Sequence, residues 1–466
     1  MFLVELTYLV QNSQKIYGFL RRQMRIPYIP HIFGNDAITK VSNRIGWVTV
    51  GVATSIPWPQ EDLWLEYENV EFFLHGAKLE GRYRVAPCIS TPSSREDFDN
   101  ALASLYRFTS VLGYFKGGYV DITGRNWGSH MIRYSTPSDD SVAIVLASNA
   151  GFNCNYMPII EDEKVRKALA FLREGRRLER VHEPYSFLSF FKVIESQFQS
   201  KERVQWVERT LALLTEERAV SRIKELTALK IDVNKHLFES GRCAVAHAGI
   251  DGIIVDPDIP SDRRRISEDL DIIAALANYF VKVDAKVPDE REVYKSRDRL
   301  TPWHSLLPSE SLQTLKEGGQ LDGIHSWGML SNSKVTLRLW PDAPISQFQN
   351  MTLIPHADGP GWLGFHLMSA KGSFALAFVM DVRNGHMHTQ LEDGGLLSGV
   401  ELDEEDVADY TRYFHSVVGN RKVELSIDGT DPVECDIVIP VNIIGRLPEE
   451  AVAEALQKFR AGRFTA

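Results

Sequence analysis

Arg242 and His247 lie five positions apart in "ESGRCAVAHAG", residues 239–249, among small and apolar neighbours. A guanidinium stays charged at any working pH and takes phosphate oxygens in a fork. An imidazole titrates near neutrality and moves a proton. One residue can hold developing negative charge while the other acts as acid or base. The plain alternative is structural, with Arg242 paired to Glu239 or a loop aspartate and His247 satisfied inside a helical core.

The bare pattern is weak. Arginine followed by histidine after a short gap recurs at Arg25–His31, Arg125–His130, Arg177–His182, Arg299–His304 and Arg383–His388. About three such pairs are expected by chance. Context separates them. Prolines interrupt the first and the fourth, glycines surround Arg125–His130 and Arg383–His388, and Arg177–His182 ends a charged helix before Pro184. Only Arg242–His247 lies in a small, apolar stretch of helical character, with Gly249 placed as a C-cap.

The elements that must position this pair fall into three segments, an α+β multidomain chain. Residues 1–155 read as a mixed α/β domain, with strand-like "WVTVGVATSIPW" and "VAIVLASNAGF" around the helical "SSREDFDNALASLYRFTSVLGYF". Residues 160–285 read as an all-α bundle of about five helices. Its "PYSFLSFFKVIESQF" opens on a first-turn proline and carries an apolar stripe through Phe187, Phe190, Phe191 and Ile194. A charged linker precedes residues 300–466, whose short regular strands suggest a β-rich, sandwich-like domain closed by a final helix.

The central segment resembles the HEPN family, helical bundles in which an arginine and a histidine on a late helix form a metal-independent ribonuclease site. "FKVIE" and "GRCAVAHAG", with "VDPDIPSDRRRISEDLDIIAALANYF" after them, look like the HEPN-type region of proteins related to methylamine-utilisation protein J. The resemblance implies RNA as substrate, cleaved by attack of a 2′-hydroxyl to leave 2′,3′-cyclic phosphate and 5′-hydroxyl ends. No cofactor and no metal are implied. It also implies a homodimer through the bundle, because five residues of regular helix turn about 500° and leave Arg242 and His247 roughly 140° apart. Either Gly241 loosens the helix or a second copy completes the cleft. Glu195 is placed to orient Arg242 or His247, and Lys192 to meet phosphate. One departure is Cys243, a weak hydrogen-bonder where such nucleases carry Asn, Asp or His. This weakens the local network that orients the arginine.

Composition bounds the rest. The chain has 466 residues, 44% hydrophobic and 24% charged, with a net charge of −10. That balance argues against indiscriminate binding to nucleic acid or anionic membranes. Cys88, Cys154, Cys243 and Cys435 form no CxxC pair and fit reduced thiols in a cytoplasm. The opening "MFLVELTYLVQNSQK" is too short and wrongly flanked for a membrane span. Arg263, Arg264 and Arg265 head a helix, where a solvated run outweighs an anion site. In the last segment His386 and His388 share a strand face, with His356, Asp358 and His366 before them, and read as strand surface.

The expectation is a cytoplasmic endoribonuclease held in check by its flanking domains, in a toxin or antiphage-defence role with a regulatory protein or phage trigger. Its alternative is a HEPN-like dimerisation or nucleotide-binding scaffold that no longer cuts. In a further alternative the β-rich end supplies recognition of a carbohydrate or a protein.

Overall fold

The computed structural model describes residues 24–77, 79–80, 83–137, 145–147, 151–246, 259–339, 348–420, 422–427, 430–440 and 442–462. The chain divides into two compact units, one of residues 1–147 and 154–295, the other of residues 148–153 and 296–466.

The first unit is built on a six-stranded antiparallel sheet. Its strands are β1 (Ile32–Phe33), β2 (Trp47–Thr54), β3 (Leu63–Tyr67), β4 (Val70–His75), β5 (Cys88–Pro92) and β6 (Val120–Gly128), ordered β6-β2-β5-β4-β3-β1. β2 and β5 are buried almost end to end, and their buried hydroxyls Thr49 and Ser90 pair with each other at 2.7 Å. Helix α1 (Phe98–Phe115) covers the sheet, and Phe108 stacks on Phe72 with centroids 4.2 Å apart.

The helices that follow belong to this same unit. They are α2 (Glu163–Leu178), α3 (Glu183–Glu195), α4 (Ser200–Leu211), α5 (Glu217–Ala228) and the short α6 (Val233–His236). A π-wound turn, Leu237–Cys243, continues α6, and α7 (Pro260–Tyr279) follows. Arg173 of α2 ties the bundle to the sheet, pairing with Asp121 at 3.1 Å and donating to the Tyr106 carbonyl. Asp162 caps α2 through the Lys164 and Val165 amides. Pro184 occupies the first turn of α3, where a missing N–H costs nothing.

The second unit corrects the sandwich expectation. Seven strands close into a barrel: β7 (Lys334–Leu339), β8 (Met351–Gly359), β9 (Trp362–Met368), β10 (Phe374–Asp381), β11 (His386–Gln390), β12 (Lys422–Ile427) and β13 (Val433–Val438). Around the barrel the order is β9-β8-β7-β12-β13-β11-β10, and β10 pairs back onto β9. β11 and β13 run parallel and the other neighbours antiparallel. Period-2 alternation is the same in a sandwich and a barrel; what separates them is the set of strand pairings, and the long-range ones, β7 with β12 and β11 with β13, are not encoded by local spacing. Phe374, Leu376, Phe378 and Met380 point inward from β10, while the residues between them stay half-exposed. Helix α8 (Glu404–Asn420) adds Tyr413 and Val417 to this core.

Charge divides unevenly. Residues 296–466 hold 14 Lys and Arg against 23 Asp and Glu, so nine of the net ten negative charges fall there. Among the described residues no helix is long and apolar enough to cross a membrane.

Candidate functional site

The bundle brings together three charged residues from three elements. Glu195 is the last residue of α3, Arg203 lies on α4, and Arg242 sits near the end of the π-turn. α3 points Glu195 to the surface because Phe187, Phe190, Phe191, Val193 and Ile194 claim its buried face. A capping box between Gln199 and Glu202 starts α4 almost at once, which keeps Arg203 beside Glu195.

The π-turn depends on Gly241. A Cβ at that position would stand 2.4 Å from Cζ of Phe187, so only glycine lets the turn lie against α3. π-wound turns are rare and cluster at functional sites. Arg265 of α7 pins the turn from the other side by donating to the Ser240 carbonyl.

In the resulting cluster Arg242 Nη2 lies 3.2 Å and 3.4 Å from the two oxygens of Glu195. Arg203 Nη1 lies 3.2 Å from the same carboxylate. The Arg203 guanidinium also faces two rings, Phe238 at 4.7 Å and Phe191 at 5.4 Å. Two cations therefore share one anion. The Arg203 side chain is 11% exposed and committed to rings and carboxylate, while that of Arg242 is 24% exposed. Arg242 thus carries the more solvent-accessible of the two guanidinium groups. Such a guanidinium, held in place and partly open, can take an anionic oxygen without first ordering itself.

The other expected residues fall as follows. Lys192 lies over the Phe171 ring at 5.6 Å, on the α2 side of α3. Cys243 is a half-buried free thiol at the end of the π-turn. His247 and the Gly249 cap lie outside the described residues. Of the arginine run, Arg263 pairs with Glu183 at 2.7 Å and Arg265 holds Ser240, so two of the three are spent internally.

A second cluster escaped the sequence reading. His236 Nε2 lies 2.7 Å from Oδ2 of Asp269, and Arg222 Nε lies 2.9 Å from Oδ1. Asp269 is 1% exposed. The one local signal is a carboxylate among the buried positions Ile266, Leu270 and Ile273 of α7; nothing in the spacing names its partners. Two buried histidines of the first unit are chemically quiet. His75 meets Ser90 Oγ at 2.7 Å and His31 meets the Cys154 thiol at 3.1 Å. Burial pushes both imidazoles down to about 4, and the Cys154 thiol up to about 12. Neither pair is a poised nucleophile.

Comparison with known families falls on this same bundle. A family model described as methylamine utilization protein MauJ matches residues 168–282. The matched stretch runs from α2 through α7 and contains Glu195, Arg203, His236, Arg242 and Asp269. It is about a quarter of the chain, and the likeness to MauJ is confined to it. No curated protein and no solved structure matches the chain.

Proposed function

We propose that the MauJ-like bundle is a HEPN-type module and that the protein is a metal-independent endoribonuclease. The observation that carries the reading is the Glu195 carboxylate shared by Arg203 and Arg242, which holds the motif arginine in a fixed, partly exposed position on the bundle. In this reading Arg242 binds the non-bridging oxygens of the scissile phosphate as they gain charge. A bond forms from the 2′ oxygen to phosphorus and the bond to the 5′ oxygen breaks. His247 in its charged form gives the 5′ oxygen its proton. A second copy of the chain brings its own His247, whose neutral form takes the proton of the 2′-hydroxyl. The products are 2′,3′-cyclic phosphate and 5′-hydroxyl ends. Such an activity needs a check inside a cell, which suits a regulated toxin or defence effector in the cytoplasm.

A second reading has its own support. Both Glu195 oxygens lie within reach of Arg242, so its charge is partly answered inside the chain. A bundle serving only for dimerisation or nucleotide binding would use the pair in this way. The two readings separate on a mixed RNA incubated with the purified chain in EDTA, with end-group analysis of the products and the mass of the protein in solution. Cyclic-phosphate ends from a dimer support the nuclease. A dimer that leaves RNA intact supports the scaffold.

A further inference from the structure

The outer face of the barrel carries features that the nuclease reading does not use. Along β8, β9, β10 and β11 the inward positions are buried and the alternate ones half-exposed, so Trp362, His366, Ala377, Val379, Asp381 and His388 face outward. Pairing aligns them. Trp362 stands opposite Asp381, and Val379 lies between Gly364 on one side and His388 on the other.

Two adjoining hollows of about 360 Å³ and 390 Å³ lie on this face and share Val379 and His388. The first is walled by Trp362 and Pro360 and edged by Asp381, Arg383 and Asn384. The second holds His356 and His366, whose rings lie 4.3 Å apart. The Trp362 indole packs closely over Gly359, where a Cβ would stand 2.4 Å from it. Asp381 is held in orientation by the backbone N–H of Asn384 at 3.0 Å and its side-chain amide at 2.8 Å.

We propose that this face binds a neutral saccharide, with a sugar ring on Trp362 and its hydroxyls read by Asp381, Asn384, Arg383 and His388. The inference does not rest on the nuclease reading. A sugar ring offers an apolar C–H face and a rim of hydroxyls that both donate and accept. The hollow supplies the counterpart, an indole floor with an acceptor in Asp381, a donor in Arg383, both capacities in the Asn384 amide, and the ring nitrogens of His388 beside them. Hollows of this size, with few and fixed polar groups at the edge, are usual for small ligands.

Charge decides against the other flat ligand, a base of a nucleic acid. Binding a polyanion needs a field of cations. This unit instead carries an excess of nine acidic residues. His366 does not offset it, because burial and the neighbouring His356 hold its imidazole below the ordinary range.

The test is gel retardation of the full chain by four neutral polysaccharides (glycogen, a soluble β-1,3-glucan, xylan and mannan), with polyuridylate as a fifth probe. Retardation by at least one neutral polysaccharide is expected. It should weaken at least tenfold in Trp362→Ala and in Asn384→Ala, the latter an exposed turn position that leaves the barrel intact, and persist in Trp362→Phe. No retardation by any of the four, or retardation unchanged in both alanine variants, overturns the proposal. Retardation by polyuridylate that is lost in Trp362→Ala also overturns it and places a nucleic acid on this face.

Discussion

Glu195 and Arg242 meet across 47 residues of chain, with Arg242 Nη2 3.2 Å and 3.4 Å from the two carboxylate oxygens. Both side chains are partly solvated, so the pair contributes only about 1 kcal/mol or less to folding. Its use is to fix a direction. Glu195→Gln should therefore lower the melting temperature by only a few degrees, while any activity that depends on Arg242 falls at least tenfold. Melting and cleavage measured on the same preparation separate the two effects. A fall in stability alone would reduce Glu195 to a surface carboxylate.

Gly241 allows the π-turn to rest on Phe187. Adding one methyl group there forces a ring in the core to move, and overpacking of this kind costs about 1–3 kcal/mol. Gly241→Ala should show that loss in chemical denaturation. Combining it with Phe187→Leu should recover part of it, so that the two changes are less than additive. Full additivity would contradict the contact.

Asp269 is 1% exposed and answers both His236 and Arg222. Removing the carboxylate leaves a guanidinium without its main partner, and breaking such a pair typically costs about 3 kcal/mol. Asp269→Ala should approach that figure in urea unfolding. A cost near zero would show that the cluster contributes nothing to the bundle.

His31 and His75 are buried and held down to about 4, against an ordinary value of 6.5. In the window between those values the unfolded chain binds protons that the folded chain does not. Stability of the first unit should thus be full above about pH 6.5 and fall as pH drops toward 4, by about 3 kcal/mol for each histidine. Unfolding at pH 7.5 and pH 5 measures the slope. In His75→Gln it should be shallower.

Local signals carried much of this architecture. Pro184, the aromatic stripe and the acidic residue after "FKVI" place α3 and end it on Glu195. Strands such as Trp47–Thr54 and Lys422–Ile427 lie where β-branched runs stand. What the sequence did not disclose depends on pairs of residues far apart in the chain. Gly241 stood out in the sequence as a place where the helix could loosen, but Phe187, the ring that the π-turn rests on, did not. Asp269 finds His236 across 33 residues. The barrel needs β7 to pair with β12 and β11 with β13, across long stretches of chain. Arg203, which shares Glu195 with the motif arginine, gave no signal beyond a charge on an amphipathic helix.

The central claim is that Arg242 acts on a phosphate. The direct measurement is cleavage of a mixed RNA in EDTA by the full-length chain, beside Arg242→Ala, Arg242→Lys and His247→Ala, each with melting behaviour like that of the parent. The account predicts cyclic-phosphate ends from the parent, a loss of at least a hundredfold in Arg242→Ala and His247→Ala, and partial activity in Arg242→Lys, which keeps the charge without the fork. An intact RNA with the parent protein, or equal cutting by all four, would contradict it.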